Sequence, residues 1–133
     1  MATDRAAVAA RCLAAAYDAT ASFPEIVGTL MAAGFEGYLV DYRAGTNSYY
    51  TPDAAAVTIA MPHGAVAVAA GFDSGAVAGL VRWAQANEAD YSYAGFCDRV
   101  TAAGCAGYLV SFPGRRVVYF GRGAEMHVEE FPQ

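Results

Sequence analysis

"AAGFEGYLV" occupies residues 32–40, and "AAGCAGYLV" occupies residues 102–110, seventy positions later. Working outward from these stretches, residues 22–50 laid over 92–120 give nine identities in 29 positions. They are Ser22/Ser92, the two AAG triplets, the two GYLV quartets and Tyr49/Tyr119. Phe23/Tyr93, Leu30/Val100, Tyr42/Phe112 and Tyr50/Phe120 are conservative pairs. Upstream, "DRAAV" at 4–8 matches "DSGAV" at 73–77 at an offset of 69. The spacing predicts an internal duplication, with repeats 4–60 and 73–130 joined by 61–72.

Each repeat reads as two helices followed by three strands. Val8, Cys12, Leu13, Ala16 and Tyr17 form a helical stripe in the first repeat, as do Val77, Leu80, Val81 and Ala84 in the second. "SFPE" at 22–25 opens the next helix as a capping box with proline in its first turn. Gly34 and Gly104 close the second helices, because a helix-ending residue at positive φ costs glycine little. From there the apolar period changes to alternation. Residues 36–42 and 106–112 read as strands, "NSYYT" and "RRVVYF" as their hairpin partners, and 56–60 and 125–130 as third strands. The expected fold is α+β: a single domain over 1–133, built from two tandem ααβββ pseudo-repeats with antiparallel hairpin strands packed against helices.

Composition narrows the function classes. The chain has 133 residues, of which 56% are hydrophobic and 16% charged, which excludes intrinsic disorder. An apolar surplus in a small domain goes into a subunit interface or a lined pocket. Eight basic against thirteen acidic residues give a net charge of −5, a field that repels nucleic acid. Arg115, Arg116 and Arg122 are too small a cluster to override it. Residues 54–72 carry no formal charge, but they are mostly Ala and Gly and are broken by Pro62-His63-Gly64, so no membrane span is expected. Cys12, Cys97 and Cys105 lack CxxC spacing, and Arg11 and Asp18 interrupt any signal-peptide core; both point to the cytoplasm.

The stretch from Asp90, "DYSYAGFCDRVTAAGCAGYLVSFPGRRVVYFGRGAEMHVEEFP", resembles the YdfO-like bacterial family, often labelled "phage envelope protein". "SFPEIVGTLMAAG" and "YYTPD" are similar to that family's first half. The resemblance implies a small α+β fold and carries no established activity. "AAAVTIAMPHG", after Pro52-Asp53, is more apolar than the loop the family leads one to expect.

Candidate chemistry is sparse. In "GAEMHVEEF", alternation places Glu125, His127 and Glu129 on one face, a carboxylate–imidazole–carboxylate row suited to proton transfer. A solvated edge strand gives the same pattern. His63 sits in a turn composition, either beside a pocket or simply exposed at the joint. Arg116 offers an anion contact or a solubilising hairpin position. No metal set and no redox-cofactor signature is present, so neither a metal nor a cofactor is expected. Nine tyrosines are many for this length, and Tyr38, Tyr49, Tyr108 and Tyr119 fall on expected strands. Tyrosine combines an apolar body with a polar tip, which suits pockets and interfaces.

Two function classes follow. One is a binder of an apolar or aromatic small molecule on the tyrosine-bearing sheet face, with cofactor-free isomerase, cyclase or hydrolase chemistry if it is an enzyme. The other is an interaction or homo-oligomerisation module, a homodimer being the simplest form, that buries the second sheet face.

Overall fold

The computed structural model describes residues 4–131. Two helices, α1 (Arg5–Asp18) and α2 (Phe23–Ala32), precede strands β1 (Gly37–Asp41), β2 (Thr46–Tyr50) and β3 (Ala56–Ala60). Then come α3 (Ser74–Ala86), α4 (Tyr93–Ala102), β4 (Cys105–Ser111), β5 (Arg116–Gly121) and β6 (Met126–Glu130). The fold is α+β, with a six-stranded antiparallel sheet in the order β3-β2-β1-β4-β5-β6.

Local chemistry sets these boundaries. Ser22 accepts from the Glu25 N–H while the Glu25 carboxylate accepts from the Ser22 N–H at 2.8 Å, a complete capping box ahead of Pro24. Asp4, Asp73 and Ser92 cap the other three helices through their side chains. At the end of α2, Gly34 has φ 94°, and the Gly34 and Phe35 N–H groups return to the Met31 and Leu30 carbonyls. This closes the last turn. Gly104, at φ 93°, likewise returns its N–H to the Thr101 carbonyl after α4.

The two central strands meet in a register that sets Leu39 directly opposite Leu109. Gly37 and Gly107 each lie where a Cβ would collide with the facing strand, Gly37 against the Val110 carbonyl and Gly107 against that of Val40. The GYLV quartets are therefore the seam of the sheet. A bulge at Cys105–Gly107 shifts the β4–β5 register at one end.

One core cluster joins the helices to one sheet face. Val8, Cys12, Leu30, Val77, Val81 and Val100 pack on Tyr38, Val40, Tyr108, Val110 and Val117. Residues 61–73 run along this layer, the Val66 N–H donating to the Tyr42 carbonyl and Arg122 Nη1 to that of Val68. No helix among the described residues covers the other sheet face. This face presents Leu109, Met126 and Val128 at 41%, 66% and 43% exposure, with Val118 and Phe120 beside them.

Strand β6 starts one residue later than the sequence pattern suggests. Glu125 precedes β6: Ala124 turns the chain at φ 65°, the Glu125 carbonyl accepts from the Gly121 N–H at 2.9 Å, and the strand runs from Met126. Strand β3 spans the expected 56–60. No helix among the described residues is long and apolar enough to cross a membrane.

Candidate functional site

Alternation brings four tyrosines to the helix-covered face in one row across four strands. Tyr49 on β2 pairs with Tyr38 on β1, and Tyr108 on β4 pairs with Tyr119 on β5. The ring centroids are 5.3 Å apart in the first pair and 5.2 Å in the second, and 6.4 Å separates Tyr38 from Tyr108. His127 extends the row from β6, 6.3 Å from the Tyr119 ring.

Above this floor the helices stand apart. Small residues on α1 and α3, Ala16 and Ala84 among them, leave a cavity of about 680 Å³ over the tyrosines. That lies within the size range of small-molecule sites. Its walls are mostly apolar, with Leu13, Val81 and Phe96 among them, and Glu25 and Glu129 line it as well. No Arg, Lys or His is among its lining residues.

Burial governs the polar tips. The Tyr49 and Tyr91 hydroxyls are each pushed up to about 12 by loss of hydration, and those of Tyr38, Tyr108 and Tyr119 rise for the same reason. All of them stay neutral hydrogen-bonding groups near neutral pH. Tyr108 meets the Tyr93 hydroxyl at 2.5 Å, and Tyr49 accepts from Asn47 Nδ2 at 3.2 Å. The Tyr38 and Tyr119 hydroxyls have no hydrogen-bond partner among the described residues, which leaves them for whatever the cavity holds.

Of the row expected on β6, His127 and Glu129 meet, Nε2 to Oε2 at 2.5 Å, and Glu129 lines the cavity. Glu125 stands apart: its carboxylate accepts from the Gly123 N–H at 2.9 Å within the preceding turn. Of the three, only His127 and Glu129 are in hydrogen-bond contact. His63 is also elsewhere. It is exposed, and its Nε2 contacts the Tyr17 hydroxyl at 3.0 Å. Arg116 lies on the outer face opposite Glu130, its Nε donating to the Gly114 carbonyl.

Cys12 lines the cavity, and burial raises its thiol, which disfavours the reactive thiolate. Cys97 is likewise raised and accepts from the Tyr42 hydroxyl at 3.4 Å, while Cys105 is pushed up to about 11. All three thiols are free and buried. Among the described residues, no three His, Cys, Asp or Glu side chains converge as a metal set would.

Three polar contributors went unread in the sequence. Asn47 was legible in principle, because it shares a strand face with Tyr49 two positions on. Tyr91 and Tyr93 belong to the loop and helix start before α4, where no periodicity points toward the sheet.

No family model matches the chain, and no curated protein matches it.

Proposed function

We propose that this protein binds an apolar or aromatic small molecule in the cavity between the helices and the tyrosine row. The observation that carries the reading is the convergence of Tyr38, Tyr49, Tyr108 and Tyr119 on one space of about 680 Å³. Aromatic floors favour flat apolar ligands, since ring–ring contacts add to the burial of carbon. Tyrosine hydroxyls without protein partners supply orientation. If the protein is an enzyme, the Glu129–His127 pair beside Tyr119 is its acid–base group, suited to cofactor-free isomerisation, cyclisation or hydrolysis.

The proposal extends to the chain's organisation. The reading as two tandem ααβββ pseudo-repeats, 4–60 and 73–130, is supported by the seventy-residue offset that relates Leu39 to Leu109, the pair at the centre of the sheet. Membership in the YdfO-like family rests on the stretch from Asp90 onward. A cytoplasmic setting fits three free thiols.

The test is a fluorescence titration with 2-naphthol, comparing the wild type with Ala84→Trp. The indole would occupy the cavity from α3 and abolish binding while the fold persists. Equal affinity in both proteins would contradict the cavity as the binding site.

One observation favours a second reading. Leu109, Met126 and Val128 form an exposed apolar strip with Val118 and Phe120 on the outer sheet face, the surface an interaction module or homodimer would bury. Sedimentation at micromolar concentration distinguishes the two, because the cavity needs no second copy.

A further inference from the structure

Asn47 is an unusual residue for its place. It is the second residue of β2, lies between Val40 and Ile59, is 2% exposed, and forms part of the cavity wall. Asparagine is depleted in strands, and a buried carbonyl without a donor forfeits its hydration for nothing. Its Nδ2 donates to the Tyr49 hydroxyl at 3.2 Å, but its Oδ1 has no partner among the described residues. The fold does not need a polar group there. Val117, seventy positions on, lines the same cavity from β5 two residues before Tyr119, as Asn47 precedes Tyr49, and an apolar side chain suffices.

We infer that Asn47 and Tyr49 form the polar end of the ligand site and read a neutral group that both donates and accepts a hydrogen bond, a hydroxyl or an amide on an aromatic body. This inference rests on the cavity reading above. Asn47 Oδ1, left without a partner while Nδ2 holds the Tyr49 hydroxyl, supplies the acceptor. The Tyr49 hydroxyl supplies the donor, because its contact with Asn47 engages a lone pair and leaves its own proton to give.

Charge selects against the obvious competitor. A carboxylate has no proton for Oδ1 and would enter a cavity lined by Glu25 and Glu129, with no Arg or Lys among the lining residues and His127 already engaged by Glu129. An ether or unsubstituted arene fits the tyrosine floor but leaves the amide oxygen unpaired. Sites built to bond a hydroxyl discriminate strongly against analogues that lack it.

The experiment compares three probes of one ring system: 2-naphthol, 2-methoxynaphthalene and 2-naphthoate, titrated by fluorescence at neutral pH. The wild type should bind 2-naphthol about tenfold or more tighter than the methyl ether, with the carboxylate weakest. In Asn47→Leu, of similar size and shape, that preference should disappear while the ether binds as before. The ligand-free Asn47→Leu protein should melt no lower than the wild type, since the change removes an unpaired buried carbonyl. Tyr49→Phe should weaken 2-naphthol and the ether alike, since both oxygens accept from the Tyr49 hydroxyl, and should leave the preference for naphthol in place. Equal binding of naphthol and ether by the wild type would overturn the inference and leave the cavity reading standing. A naphthol preference that survives in Asn47→Leu would overturn it too, placing recognition elsewhere. Binding of none of the three would overturn the cavity reading and this inference with it.

Discussion

Gly107 lies so close to Val40 that a Cβ on the glycine would fall 2.2 Å from the valine carbonyl oxygen. The relationship is reciprocal: a Cβ on Gly37 would fall 2.4 Å from the carbonyl oxygen of Val110. Each GYLV quartet thus supplies a glycine that the valine of the other requires, which gives a packing reason for writing the motif twice. Gly37→Ala and Gly107→Ala should each destabilise the protein by about 1–3 kcal/mol, since strand backbone cannot yield as a flexible side chain does. Gly28→Ala and Gly79→Ala, on helices with open space around them, should be neutral or stabilising by up to about 1 kcal/mol. Urea denaturation of the four variants checks the contrast, and uniform effects would refute it.

The helix-ending glycines should differ from one another. Both sit at positive φ, so alanine at either meets a penalty of about 1 kcal/mol from the left-handed conformation. Around Gly34 the nearest atoms belong to the long Arg5 side chain, which can move aside. Around Gly104 a Cβ would fall 2.0 Å from the carbonyl oxygen of Gly71. Gly104→Ala should therefore lower the melting temperature clearly more than Gly34→Ala, and the reverse order would contradict this packing.

Alkaline pH should expose the buried tyrosines. Burial raises Tyr49 and Tyr91 to about 12 in the fold, whereas tyrosine in an unfolded chain ionises near about 10. The unfolded chain releases these protons first. Their contribution to stability is thus fully present below about pH 10 and is lost as the pH climbs from there through the folded values near 12. Denaturation midpoints should fall between about pH 9 and pH 11, and tyrosinate absorbance should lag in the folded protein. A midpoint unchanged over that interval would place the tyrosines in water.

The order of elements was legible because the signals that set it are local. The Ser22–Glu25 box, the glycines after α2 and α4, and the alternation through Tyr38-Leu39-Val40 act within a turn or a strand. The tyrosine row was legible for the same reason, since period two fixes the face each ring takes. Glu125 lies outside the His127–Glu129 contact because its carboxylate turns back to the Gly123 N–H, and nothing in "GRGAEM" announces the positive φ at Ala124 that sets this turn. The cavity itself could not be read. It depends on how far α1 and α3 stand from the sheet, a long-range consequence of alanine at positions such as 16 and 84. Tyr93 reaches Tyr108 across fifteen residues, a contact no spacing rule predicts.

The central claim is that the tyrosine row is the floor of a ligand site. The most direct measurement is a set of intermolecular NOEs from 2-naphthol to the isotope-labelled protein. The account predicts contacts to the ring protons of Tyr38, Tyr49, Tyr108 and Tyr119, with none to the methyls of Leu109, Val118 and Val128 on the outer face. Contacts to those methyls, with the tyrosine rings silent, would contradict it.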